Sequence, residues 1–163
     1  MASGPDETFD RLLEAHGPAL RAMLRNLCRH PQDVDDVWQD AALRVWRSLR
    51  DRPRLRDPRA WLATVAYRAY LDHAARRPVP PAEGFDRADD ASPTAHEAAV
   101  LAERRLEVRQ ALDGLPADLR ALVALHYTAG LSLRETAAAL GLPVGTVKSR
   151  LHAALNVLRG ELE

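Results

Sequence analysis

The sequence predicts an all-α fold: two small helical domains joined by a flexible linker, the C-terminal one carrying a helix-turn-helix. Three observations lead there. Apolar residues recur at helical spacing along nearly the whole chain, and no run alternates apolar with polar residues as a half-buried strand would. The stretch from Arg77 to Pro93 has no period and packs three prolines between Pro78 and Pro81 (Pro78, Pro80, Pro81), with four acids (Glu83, Asp86, Asp89, Asp90), the composition of a tether rather than of a packed element. Beyond it, Ser132, Gly141 and Pro143 supply a helix start, a stop and a second start in close succession.

The first domain, residues 1–77, reads as about four helices punctuated by Gly17-Pro18, Pro31 and the prolines from Pro53 to Pro58. Within it, DVDDVWQDAALRVWRSL (Asp33 to Leu49) sets Val34, Val37, Trp38, Ala41, Val45 and Leu49 on a broad inner side. Asp36, Gln39, Asp40, Leu43 and Arg47 line the other. An acidic stripe with a leucine at its centre suits a protein-binding face, although the spacing by itself favours a solvated one. Further on, Asp57-Pro58 can cap and begin a helix, because the carboxylate accepts an unpaired amide and proline lacks one. Arg52, Arg54 and Arg56 precede that start and Arg59 follows it. On this helix Trp61, Leu62, Val65 and Ala69 are expected on one side, Trp61 mostly in the core, with Tyr67 and Tyr70 on the other near Arg59 and Arg77. Rings among arginines are what a single strand of nucleic acid needs: bases stack on the rings while cations follow the backbone.

Residues 78–96 form the predicted linker, and residues 97–163 the second domain, with breaks at Gly114, Pro116, Gly130 and Gly141. Ser132-Leu-Arg-Glu135 has the capping-box pattern, so a helix should start at Ser132, carry Ala137 and Leu140 inward and stop at Gly141. Pro143 suits the start of the last helix. There Val147, Leu151, Ala154, Leu155 and Leu158 gather on one side, while Gly145, Ser149, His152, Ala153 and Asn156 face away, flanked by Lys148 and Arg150. Small residues let such a helix sit deep in a major groove, with Ser149 and His152 toward base edges and the flanking cations toward phosphates. A generic helical hairpin with solvated cations has the same outline.

Composition narrows the function classes. Lys plus Arg and Asp plus Glu number 23 each, so no global positive field draws the chain to nucleic acid and any contact must come from local patches. The first domain holds 14 basic against 11 acidic residues, the linker 1 against 4, and the second domain 8 against 8. A lone cysteine, Cys28, excludes an internal disulfide framework and suits a reducing cytoplasm. No apolar run reaches membrane-span length and the N-terminus lacks a signal core, so a cytoplasmic protein is expected. Cys28 and His30 have no second pair, the aspartates from Asp33 to Asp40 share one helix, Asp72-His73 only resembles a catalytic pair, with Asp72 expected near the Trp61 side in a structural hydrogen bond or ion pair, and no glycine-rich phosphate loop occurs. No cofactor, metal or enzymatic activity is expected.

SLRETAAALGLPVGTVKSRLHAALNVLR resembles the C-terminal helix-turn-helix of extracytoplasmic-function (ECF) sigma factors of bacterial RNA polymerase, and LDGLPADLRALVALHYTAGLS resembles the helices before it. The first domain is similar to the other half of the minimal, two-domain members of that family. The resemblance implies that the C-terminal domain binds the -35 promoter element through Thr146, Lys148, Ser149, Arg150 and His152. It implies that Asp36, Gln39, Asp40, Leu43 and Arg47 dock on the β′ clamp helices of core polymerase, with the β flap as a further contact. Melting of the -10 element and capture of its single strand then fall to Arg52, Arg54, Arg56, Arg59, Tyr67 and Tyr70. An anti-sigma factor is the expected regulator. Departures from the family pattern stand at Trp38, Ala42, Tyr67-Arg68 and Ala153. A stand-alone helix-turn-helix regulator and a sigma mimic that sequesters an anti-sigma protein are the alternative readings.

Overall fold

The computed structural model describes residues 5–51, 55–77 and 95–162. Among these the chain is helical: α1 (Pro5–Leu27), α2 (Pro31–Asp51), α3 (Pro58–Arg76), α4 (Ala95–Gly114), α5 (Ala117–Val123), α6 (Leu133–Leu140) and α7 (Val144–Leu162). A π-helical turn, Ala124–Thr128, extends α5.

The first domain holds three described helices rather than about four, because α1 runs straight through Gly17-Pro18. Pro18 removes one backbone hydrogen bond, but tertiary packing outweighs that loss. Leu20, Met23, Leu24 and Leu27 are buried along the same helix. Gly17 faces α2, where a Cβ would meet the Trp38 ring at 3.4 Å, an ordinary contact. Arg21 lies over that ring, 5.1 Å from its centroid. At the other end of α1, Asp6 accepts a hydrogen bond from the Trp46 indole at 3.0 Å. On α2 the expected inner residues Val34, Val37, Ala41, Val45 and Leu49 are buried and Trp38 is half-buried.

In the second domain the local signals act as their chemistry dictates. Ser132 Oγ accepts from the Glu135 amide at 3.2 Å while Glu135 Oε2 accepts from the Ser132 amide at 2.7 Å, closing the capping box. Gly141 ends α6 at φ +65°, and the Leu142 amide reaches back to the Ala137 carbonyl at 3.0 Å. Pro143 sits one residue ahead of α7, its carbonyl accepting the Val147 amide at 3.1 Å. Replacing Ser132 with alanine is therefore expected to lower unfolding stability by about 1 kcal/mol, read as a shifted urea midpoint at constant slope. An unmoved midpoint would show that the cap contributes nothing.

The two domains meet. One cluster of buried side chains joins Met23, Leu24, Leu27, Cys28, Ala63 and Tyr67 of the first to Ala121, Ala124, Leu125, Ala129 and Leu131 of the second. A second cluster, Leu112, Leu115, Leu122, Val123, Ala137, Val147, Leu151 and Ala154, belongs to the C-terminal domain alone.

Candidate functional site

The stripe on α2 is an open face. Asp36, Gln39, Leu43 and Arg47 are exposed and Asp40 is half-exposed. Leu43, a large apolar side chain 52% exposed, stands at its centre. Arg44 borders the stripe and holds Asp40 at 2.7 Å and Asp72 of α3 at 2.8 Å. Burial alone would lower the Arg44 pKa, but these two carboxylates outweigh it and raise it. Asp72 thus serves in a structural ion pair, as its place in the sequence suggests. Asp33, by contrast, is no part of this open face. It is buried, with Arg77 at 2.7 Å and His73 at 3.2 Å, tying the start of α2 to the end of α3.

Around the start of α3, Asp57 Oδ1 accepts the Ala60 amide at 3.1 Å with Pro58 at the first helical position. That amide holds the Asp57 carboxyl below its ordinary range, and the charge of Arg59 acts in the same direction. Arg56 is exposed beside the cap, and Arg59 is exposed but reaches the second domain, 3.6 Å from Glu135. Arg52 and Arg54 lie outside the described residues.

The expected outward placement of the tyrosines is corrected. Tyr67 is only 8% exposed, within the shared cluster, and Tyr70 is half-buried against it. Their rings stack at a centroid distance of 6.1 Å. Burial raises both phenol pKa values, and Arg120 of the second domain and Arg29 act against it at Tyr70. The reason is geometric. Helix α3 packs on α1 and α2, and Ala63 and Tyr67 lie in the cluster that these helices share with the second domain, so the face that periodicity leaves for solvent is taken up by tertiary packing. In this arrangement neither ring offers an open stacking surface.

Helix α7 turns Val147, Leu151 and Ala154 inward and leaves Lys148, Ser149, His152, Ala153 and Asn156 exposed. Thr146 and Arg150 are half-exposed. Ser149 Oγ donates to the Thr146 carbonyl at 3.1 Å, and Arg150 stands 3.5 Å from Asp118 at the start of α5. Two small polar side chains between flanking cations thus occupy one open helical face behind a tight turn, which suits base edges between two lines of phosphate.

Comparison with known proteins matches both ends of the chain. The family "Sigma-70 region 2" matches residues 12–78 and "Sigma-70, region 4" matches residues 105–158. The RNA polymerase sigma-E factor of Streptomyces avermitilis is 34% identical over 169 residues, covering 100% of this chain and 89% of that protein. The chain belongs to the ECF RNA polymerase sigma factors. The ECF RNA polymerase sigma factor SigE of Mycolicibacterium smegmatis is 30% identical over 95% of this sigma factor, which spans 62% of SigE's length. The solved sigma factor RpoE of Bartonella quintana, in complex with the anti-sigma factor NepR, superposes with a TM-score of 0.74 at 25% identity, covering 95% of this chain and 96% of that one. No helix of this sigma factor, among the described residues, is long and apolar enough to cross a membrane.

Sequence reasoning passed over the polar contacts between the domains of the sigma factor. Asn26 donates to Thr128 Oγ1 at 2.9 Å, and Arg59 meets Glu135. Asn26 and Thr128 stand 102 positions apart, so no local pattern marks them. The π-helical turn, which leaves Tyr127 55% exposed and edge-on to His126, has no sequence signal either.

Proposed function

We propose that this sigma factor binds core RNA polymerase and directs promoter-specific initiation in the cytoplasm, with no catalytic activity of its own. Residues 1–77 dock and engage the -10 element, residues 78–96 connect, and residues 97–163 read the -35 element. One observation carries the reading: the folded chain keeps two chemically different faces open, the Asp36–Leu43 stripe of α2 for protein and the Ser149–His152 face of α7 for duplex DNA. Asp36, Gln39, Asp40, Leu43 and Arg47 take the β′ clamp helices. Thr146, Lys148, Ser149, Arg150 and His152 take the -35 duplex, with Arg56 and Arg59 on the -10 side. Val100, Leu101, Leu106 and Val108 of α4 are about half-exposed, an apolar surface suited to the β flap.

Net neutrality supports this division of labour. Salt-dependent DNA affinity scales with the number of phosphates neutralised, and Lys148 and Arg150 are few, so the polymerase must supply most of the grip. The RpoE structure, solved with its anti-sigma factor, supports a partner of that class for this chain. Run-off transcription with purified core polymerase tests the reading, with a transcript from a fixed start expected on a cognate template. Tight duplex binding by the chain alone, with no promoter-specific transcript, would instead assign it to stand-alone regulators.

A further inference from the structure

We propose that the cleft between α1 and α4 is a binding site for a small amphiphilic anion, a medium-length alkyl chain ending in a carboxylate or a phosphate. The cleft measures about 310 Å³. That lies at the lower end of the ~300–1,000 Å³ range of small-molecule sites, with room for about ten water-sized groups at ~30 Å³ each, and so for a chain of about that many carbons. Arg104, Arg105 and Arg109 of α4 line it together with Leu101, Val108 and Leu112 of the same helix. Asn26 lines it from α1, its side-chain amide held by Thr128 Oγ1 at 2.9 Å.

The lining separates charge as a merely solvated helix does not. Glu103 and Glu107 are interspersed with the arginines in the sequence, yet each stands two positions from Arg105, which at ~100° per residue puts both on the far side of α4. Among the described residues no acid lines the cleft, and Arg104, Arg105 and Arg109 have no carboxylate within ion-pair distance. Arg21, Arg59, Arg77 and Arg150, by contrast, each meet an acid at 3.6 Å or less. A guanidinium takes a carboxylate or a phosphate in a two-point fork, which defines the anionic end of the ligand. The floor defines the other end. Leu101 and Val108 are about half-exposed and Leu112 is buried, so an apolar body gains by covering them where an inorganic ion does not. The lining includes no aromatic ring on which a flat base would stack, and an alkyl chain therefore suits it better than a nucleobase. An occupant covers two of the four apolar side chains assigned above to the β flap, but the site belongs to the free chain and does not depend on that assignment.

Isothermal titration calorimetry of sodium decanoate, kept below its micellar range, into the full chain tests the site. One saturable site is expected, with affinity rising about two- to fourfold per methylene from hexanoate to decanoate as the floor is covered. Acetate and inorganic phosphate should bind at least about tenfold more weakly, having no apolar body. Decyltrimethylammonium, the same chain with the opposite charge, should not bind. Decyltrimethylammonium binding as well as decanoate would show unspecific adsorption, and acetate binding as well would show a bare cationic patch; either overturns the proposal. Arg104→Glu with Arg105→Glu, both at exposed positions, should leave the melting temperature unchanged and weaken decanoate about tenfold or more. Leu101→Ser should weaken decanoate and leave inorganic phosphate unaffected. If either variant folds and binds decanoate like the parent, the ligand does not sit in this cleft. Sedimentation with phosphatidylglycerol vesicles in place of a saturable decanoate site would assign the arginines to a lipid surface and also overturn it.

Discussion

Replacing Asp36 and Leu43 together with alanine is expected to abolish retention of the sigma factor by core polymerase while leaving its circular dichroism and melting temperature unchanged. The two halves of that expectation have different physical grounds. Leu43 is 52% exposed, so truncating it opens no cavity, and Asp36 is exposed and takes no part in the ion pairs among the described residues. Surface changes of this kind cost within about 0.5 kcal/mol of stability. In a protein interface the same leucine is the desolvated centre of a charged rim. Central apolar anchors carry about 2 kcal/mol or more, and a paired charge adds its own share. Together these predict a loss of at least about a hundredfold in affinity. Co-purification or fluorescence titration with labelled core measures it, and retention within a few-fold of the parent would remove the α2 stripe as the docking face.

The parts legible in the sequence are those set by neighbours in the chain. Ser132 and Glu135 satisfy each other's amides three residues apart, Gly141 takes the one left-handed position that α6 needs, and Asp57-Pro58 opens α3 without help from elsewhere. The exposed faces of α2 and α7 were legible because one apolar stripe on each helix is enough to orient it. Three features were not. Gly17-Pro18 reads as a break, yet α1 continues because its stripe from Leu20 to Leu27 is gripped by tertiary contacts. Tyr67 reads as solvent-facing, yet α3 is enclosed from more than one side. Asp33 reads as one of a surface cluster, and only the return of α3 brings Arg77 and His73 to it. In each case the deciding partner lies on a different helix, where periodicity within one helix carries no information.

Leu125→Ala is the substitution that measures how far the two domains are one body. Leu125 is fully buried in the cluster that holds side chains of both. Emptying such a site removes transfer energy and leaves a cavity, about 2–5 kcal/mol for a leucine. All three tryptophans, Trp38, Trp46 and Trp61, lie in α2 and α3 of the first domain, so intrinsic fluorescence reports the unfolding of that domain alone. A cavity in the second domain should then lower the urea midpoint seen by tryptophan fluorescence, because Met23, Leu24 and Ala63 lose a packing partner across the boundary. Leu151→Ala is the matched comparison. It empties a similar volume in the cluster confined to the C-terminal domain, so its effect should be largest in circular dichroism and smaller in fluorescence. If Leu125→Ala leaves the tryptophan transition in place while circular dichroism shifts, the domains unfold independently and the shared core contributes nothing to the first. If both probes shift together, the shared cluster couples the two domains and part of the first domain's stability comes from the second.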